Sequence, residues 1–541
     1  MQLKRFVIES VQIMTSLPQT TTNSYSSAPT SVPTVSRARV AHWLLLLVVC
    51  LTPVIVSIVL VSSHYHITDF APNFNDEISY WRQILTFKEV GFSGGYYSYL
   101  ELPPPAEFTH FFAYGPWYPM IYGLLARVIG WNFLSMIILN CLFVTLALMF
   151  FCWAVGMDNR QLVVTGLMLG TFGGLLMFLF TGMQEPFQQT IAILIAAIFY
   201  QALQVRNQIT YRWWIGGIVL ITIAGVLRLS WAILFIPYLF LTGRRLMLCK
   251  GLYVVLSLVL TAAIVTFSNF TVAPTNHSVF NVLGEFKTSF GGGLQNLLIY
   301  FGANVANWFY SHLKTPADYV QSVQVVVLAI LLFATLFMSY RYPKRAGWRT
   351  DSLFHLYNLI GVLVASCALY VTGTGGDYRV VATHLMLTLL LLIARRQYAG
   401  VVLIIVSSLL FSSVLLSDYF SYLKPKYNPD HSDYIEFENI AARTMIYRPD
   451  AANAWCNTLL FQVELYETNI AGAPPGFGLT FFVDPADPRL TFKSQYLLLD
   501  DASYQQVTQR SDAPQLKWLA DAPTGKLYLN QSSQCGQSVN Q

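Results

Sequence analysis

The sequence predicts an all-α polytopic membrane protein of about eleven spans, followed by a small α+β extracytoplasmic domain. Three observations predict it. Of the 541 residues 55% are hydrophobic and 11% charged, with a mean hydropathy of +0.50, whereas soluble domains carry about 25% charge. Apolar stretches long enough to cross roughly 30 Å of hydrocarbon recur from Ala41 to Leu416. Residues 1–416 hold 23 Lys+Arg against 13 Asp+Glu, net +10, and residues 417–541 hold 9 against 14, net −5. This composition excludes an ordinary soluble protein. Nor is the basic excess a nucleic-acid footprint: it sits in short loops between apolar spans, where it reports orientation.

Residues 1–40, rich in Ser, Thr and Pro from 15 to 36 and without an apolar run before Arg37 and Arg39, read as a disordered cytosolic tail ahead of a signal-anchor helix. Apolar windows then give spans at 41–62, 133–155, 161–181, 187–205, 213–227, 230–242, 251–271, 321–340, 354–372, 379–394 and 400–416. With the N-terminus in the cytosol, Arg160, Arg206, Arg212, Arg244, Arg245, Lys250, Arg341, Lys344, Arg345, Arg349, Arg395 and Arg396 all fall inside. Every cytosolic loop then obeys the positive-inside rule. Trp213 to Thr242 would be about 45 Å long as one helix, too long for one span and too short for two. A break near Arg228 keeps the later basic loops inside, and broken membrane helices are tolerated where they line a protein-buried or watery cavity.

The transmembrane domain is thus 41–416, with outer loops at 63–132 and 272–320, and the extracytoplasmic domain is 417–541. In the first loop YGPWYPMIYGLLARVIGW reads as an interfacial amphipathic helix, because a crossing there would put Arg160 and the later basic loops outside. Strand-like runs such as LTFFV and QYLLLD alternate with Pro, Gly and Asp turns in the last domain. Its two cysteines, Cys456 and Cys535, are predicted to form a disulfide in an oxidising compartment.

Asp76, Glu77, Glu185, Arg228, Asp377 and Arg379 all reach the same membrane face on this topology. Asp76 and Glu77, with Asn75 as candidate N-cap, also fit the plain preference of acids for a helix N-terminus. Glu185 in TGMQEPF and Arg228 in GVLRLSW are flanked by long apolar runs and need partners. Arg379 follows a Gly-rich turn in TGTGGDYRVVATH whose backbone N–H groups could approach an anion, although such a turn between spans is equally expected for steric reasons. His64 and His66, spaced i, i+2, share no helix face and lack a third metal ligand. Gly291 to Gly293 lack Walker or dinucleotide context and read as a loop.

The order of these features resembles the GT-C superfamily of membrane glycosyltransferases, above all the branch with protein O-mannosyltransferases and the aminoarabinose transferase. An acidic pair early in a long outer loop precedes an aromatic, Pro-rich segment with an interfacial helix. An acid before the fourth span and a basic residue at a helix break follow. The resemblance covers roughly residues 40 to 245. The family's basic motif before the interfacial helix is present only as YGPWYP, without Lys.

The resemblance implies a polyprenyl-phosphate-linked sugar as donor and inverting transfer to an acceptor hydroxyl of a glycan, lipid or protein outside the cytosol. By position it assigns Asp76 and Glu185 as catalytic acids, with Asp76 the general base, and Arg228 as a donor-phosphate ligand. Arg379 is added as a second phosphate ligand from its Gly-rich turn, and Glu77, Tyr80, Tyr114 and Tyr378 as candidate cavity residues. A single phosphate can be held by Arg alone, so no cofactor is expected, although Asp76, Glu77 and Glu185 together would have the chemistry for one divalent metal ion. The partners implied are the lipid bilayer and lipid-linked sugar, with no nucleic acid, in a bacterial plasma membrane. The competing reading is a transporter or flippase in which Glu185, Arg228 and Arg379 line a path; a third is a non-catalytic scaffold.

Overall fold

In a computed structural model the chain is mostly helical. The structure describes residues 37–73, 75–94, 97–101, 115–204, 209–242, 247–271, 285–286, 288–310, 315–342, 346–369, 378–427, 432–449, 451, 453–462, 472–533 and 535. The helices are α1 (Arg37–Ser62), α2 (Asn75–Val90), α3 (Trp117–Ile129), α4 (Ser135–Val155), α5 (Asn159–Thr171), α6 (Gly173–Leu179), α7 (Glu185–Gln204), α8 (Tyr211–Leu227), α9 (Phe235–Thr242), α10 (Met247–Thr271), α11 (Phe290–Tyr310), α12 (Pro316–Arg341), α13 (Ala346–Leu369), α14 (Tyr378–Ala394), α15 (Tyr398–Leu410), α16 (Ser412–Leu423), α17 (Ser432–Thr444) and α18 (Asp501–Thr508). Strands β1 (Tyr97–Tyr99), β2 (Thr458–Gln462), β3 (Gly478–Phe482), β4 (Tyr496–Leu499), β5 (Leu516–Ala522) and β6 (Gly525–Asn530) form one sheet.

Each of the eleven predicted spans holds a helix, but fewer qualify as full crossings. Among the described residues five helices are long and apolar enough, α1, α4, α7, α10 and α12. Counting the bent pairs α5–α6 (60°) and α15–α16 (73°) as single spans brings the number to seven. The remaining predicted spans, α8, Leu229–Thr242, α13 and α14, fall short of those criteria. The chain leaves α8 at Arg228, which is extended (φ −154°, ψ 116°), and continues as a 3₁₀ turn from Leu229 to Leu234. The predicted second outer loop contains the 21-residue α11, and Gly291 to Gly293 are helical rather than loop. On the predicted cytosolic side, Arg395 pairs with Asp351 (3.0 Å) and Arg396 with Asp158 (2.7 Å).

The sheet order is β1-β3-β2-β4-β6-β5, with β1, β3, β2 and β4 mutually parallel and β6 antiparallel to both β4 and β5. Alternate residues of the central strands enter two cores, as a pleated strand requires: Leu459, Phe461, Leu479 and Leu498 on one face, Leu460, Phe482, Leu497 and Leu499 on the other. A disulfide joins Cys456, just before β2, to Cys535, with Cα atoms 5.2 Å apart.

The sheet does not belong to residues 417–541 alone. Strand β1 from the first outer loop extends it, and Ile78 of α2 and Leu100 enter its two cores. A three-residue strand carries too little periodicity to be recognised in sequence. Leu100 and Glu101 both adopt left-handed backbone (φ 54° and 56°), which persists only where the surroundings over-determine it. Here Leu100 N–H donates to Phe481 O (2.9 Å), while the buried Glu101 carboxylate accepts from Ser494 N–H (2.7 Å) and from Lys493 N–H. Burial pushes this carboxyl above its usual range, against the pull of those donors. Glu101→Ala would leave both N–H groups unpaired, an expected loss of about 1–3 kcal/mol for each, read as a lowered thermal midpoint of the purified protein. An unchanged midpoint would show that the clasp contributes nothing.

Arg82 adds a second clasp, donating to Pro474 O (2.9 Å) and Phe477 O (2.8 Å). Helix α2 is therefore held on both sides: Ile78 in the sheet core, Tyr80, Trp81 and Ile84 in the main helical core. That double packing fixes the helix whose first turn carries Asp76.

Candidate active site

Asp76 and Glu77 are successive residues of the first turn of α2, so their side chains point about 100° apart. The structure gives them different partners. Asp76, partly exposed, meets Arg379 from the first turn of α14, Oδ2 to Nη1, at 3.3 Å. Glu77 is fully buried and pairs with the equally buried Lys426 at 2.5 Å. Its Oε1 accepts from Gly182 N–H and its Oε2 from Asn73 N–H (3.3 Å). With its oxygens engaged in this way, Glu77 acts as a strut between chain segments rather than as the cavity-wall residue expected from sequence. A Cβ on Gly182 would come within 2.8 Å of Glu77 Cγ, so only glycine lets the loop approach this closely.

Gly182 lies three residues before Glu185, the first residue of α7. Glu77 therefore anchors both α2 and the loop that delivers Glu185, and Gln184 Nε2 donating to Tyr80 OH (2.9 Å) adds a second tie. Tyr80, a predicted cavity residue, is buried in this contact. Glu185 Oε1 accepts from Arg228 Nη2 at 3.2 Å, with both side chains buried. The break in the helix at Arg228 thus brings a guanidinium to a carboxylate at a helix N-terminus, where negative charge is favoured.

A polar network fixes that break. Trp231 Nε1 donates to Gln188 Oε1 (2.8 Å), one helical turn beyond Glu185, and stacks on His384 with ring centroids 4.2 Å apart. Asn358 donates through Nδ2 to His384 O (2.8 Å) and Thr388 Oγ1 (3.0 Å), which leaves its Oδ1 to accept from His384 Nδ1 (2.7 Å). That assigns the proton to Nδ1, so Nε2 accepts from the Ser230 hydroxyl (3.3 Å). His384, Asn358, Ser230 and Trp231 are buried, and together they hold the turn that presents Arg228.

The end of α16 and the residues that follow it pack against α2 and the segment before α7. Lys426 lies 4.5 Å above the Tyr422 ring, Tyr427 OH donates to Phe180 O (2.9 Å), and Tyr422 packs edge-on against Phe178. Tyr422 is within electrostatic reach of Glu77, Glu185, Arg379 and Asp76. Among the described residues no group of three or more His, Cys, Asp or Glu is arranged to hold a metal ion; Asp76, Glu77 and Glu185 each have a cation as partner.

Tyr114, Asp377 and the turn Gly373 to Gly376 lie outside the described residues, and the side chains of Asn75 and Tyr378 are not described. His64 stacks on Phe420 with ring centroids 3.7 Å apart. Sequence reasoning missed Lys426, Tyr422, Gln184, Gln188, Asn358 and His384. The signals available were uncharged polar residues inside apolar runs, EPFQQT above all, and the KPKY that follows α16.

No family model matches the sequence, and no curated protein matches it. Among solved structures the chain is similar to the crystal structure of ArnT from Cupriavidus metallidurans in the apo state, at 13% identity and a TM-score of 0.41, over 91% of this chain and 98% of that one. It is also similar to the crystal structure of ArnT from the same organism bound to undecaprenyl phosphate, at 12% identity and a TM-score of 0.39, over the same shares of the two chains.

Proposed function

We propose that this integral membrane protein is a glycosyltransferase that moves a sugar from a polyprenyl-phosphate donor to an acceptor hydroxyl on the extracytoplasmic side of a bacterial plasma membrane. The observation that carries this reading is the presence of two acid–arginine pairs, Asp76–Arg379 and Glu185–Arg228, the second buried at the helix break. It adds to the family resemblance of the sequence around Asp76, Glu185 and Arg228.

The chemistry needs both halves of each pair. The acceptor oxygen attacks the anomeric carbon as the bond from that carbon to the phosphate oxygen breaks, inverting the centre. The proton of the acceptor goes to Asp76, and the electron pair of the broken bond leaves with the lipid phosphate. Guanidinium groups in a water-poor site stabilise the growing phosphate charge, by bidentate hydrogen bonds where geometry allows. Before the donor arrives, Asp76 and Glu185 neutralise the two arginines. A phosphate that engages Arg379 competes with Asp76 for the guanidinium, and a carboxylate released from a cation is the stronger base. Donor binding thereby switches on the base, so the donor binds before the acceptor. The domain limits follow the same reading: a transferase body over 41–416 and an extracytoplasmic domain over 417–541 into which strand β1 is built.

The test is donor binding and transfer by the purified full-length protein in lipid nanodiscs. Arg379→Ala and Arg228→Ala are each expected to weaken binding of undecaprenyl phosphate by about 10- to 100-fold, the size of a lost charge-assisted hydrogen bond. The Lys variants, which keep charge and lose the fork, should fall between Ala and wild type. Unchanged affinity in both Ala variants, or translocation of the lipid-linked sugar with no transfer to any acceptor, would overturn the reading.

A further inference from the structure

The start of α7 carries more buried polarity than the two ion pairs require. Gln184, Glu185, Gln188 and Gln189 are each no more than 2% exposed; at about 100° per residue the last three share an arc of about 100° on α7, and Gln184 directly precedes the helix. Each commits one polar atom to the protein: Gln184 Nε2 to Tyr80 OH (2.9 Å), Glu185 Oε1 to Arg228 (3.2 Å), Gln188 Oε1 to Trp231 Nε1 (2.8 Å) and Gln189 Nε2 to Gly174 O (3.1 Å). In each the second atom, Gln184 Oε1, Glu185 Oε2, Gln188 Nε2 and Gln189 Oε1, has no partner among the described residues. The Tyr422 hydroxyl, within electrostatic reach of Glu185, has none among them either.

Buried polar atoms are nearly always paired, and a cluster that is not calls for a ligand or ordered water. The types in this cluster decide which ligand. Trp231 Nε1 donates to the amide oxygen of Gln188, so the free end of that side chain is Nε2, a donor. Glu185 Oε2 and Gln184 Oε1 accept, and a phenol does both. A phosphate, all acceptor at neutral pH, would face two oxygens in repulsion, and a polyprenyl chain would satisfy nothing. A sugar hydroxyl both donates and accepts. Arg228 neutralises Glu185, so the cluster has no net charge to favour an amino sugar or a uronic acid.

We propose that the start of α7, through Glu185 and Gln188, together with the preceding Gln184 and with Tyr422, holds the sugar of the donor and selects an uncharged, polyhydroxylated one. This rests on the glycosyltransferase reading above and names its substrate class.

The experiment compares binding of four lipids to the full-length protein in nanodiscs: undecaprenyl phosphate alone, and the same lipid bearing a neutral hexose, an amino sugar or a uronic acid. Two mild variants are used. Tyr422→Phe removes one hydroxyl, and Gln188→Met removes the free donor without placing a second buried carboxylate beside Glu185. Wild type is expected to bind the hexosyl lipid about tenfold more tightly than the bare phosphate, and each variant to lose most of that gain while binding the bare phosphate as wild type does. Equal weakening for both lipids, no weakening for either, or preference for a charged sugar would overturn the inference. If the bare lipid phosphate binds and the hexose adds nothing, the inference fails and the transferase reading stands. If neither lipid binds, both fail.

Discussion

Asp76→Asn should turn over more slowly than wild type by a factor on the order of 100 or more, the usual size of a lost general base. Asn is nearly isosteric and keeps the first turn of α2 intact, but it cannot take a proton from the acceptor. The structure adds a second expectation. Asp76 is the carboxylate on Arg379, so removing its charge also removes the group with which a donor phosphate competes. Donor affinity of Asp76→Asn should therefore match or exceed that of wild type, while turnover collapses. A substitution that merely disturbed the fold would weaken both. Single-turnover transfer and donor binding measured on the same preparation decide the matter, and normal turnover would remove Asp76 from the base role. A companion kinetic result follows: in wild type the donor should be the first substrate to bind, and in Asp76→Asn the acceptor-dependent step alone should be impaired.

How much of this was visible in sequence depends on what each residue interrupts. Glu185 and Arg228 stand out because a charge inside an apolar run has few physical explanations. Their pairing is illegible, since nothing local joins positions 43 residues apart. The Asp76–Arg379 pair spans 303 residues, and the two ends could be placed only on a common membrane face. Lys426 was invisible for the opposite reason: it follows α16 in a polar stretch where a lysine needs no explanation, yet it is the fully buried partner of Glu77. Gln188, Asn358 and His384 are uncharged polar residues in apolar helices, which hydropathy averages away. The share of the first outer loop in the sheet was equally illegible, because Arg82, Glu101 and β1 reach it by tertiary contacts without local periodicity.

The largest effect on stability is expected at Glu77. It is 0% exposed, as is nearly true of Lys426, and breaking a buried ion pair from one side strands the remaining charge at a cost of about 3–5 kcal/mol. Glu77→Gln also replaces an oxygen that faces Gly182 N–H or Asn73 N–H by a donor, which sets N–H against N–H. Lys426→Met should be costly for the mirrored reason, leaving a buried carboxylate without its cation. The double variant Glu77→Gln, Lys426→Met removes both charges, so it should be less destabilised than the sum of the singles by at least about 1 kcal/mol, since contacting sites couple by that order. Thermal unfolding of the four proteins in the same nanodiscs completes the cycle. Additive losses would mean that the pair is not the strut of the site; singles as stable as wild type would mean that Glu77 is accessible to water and free to act in the cavity after all.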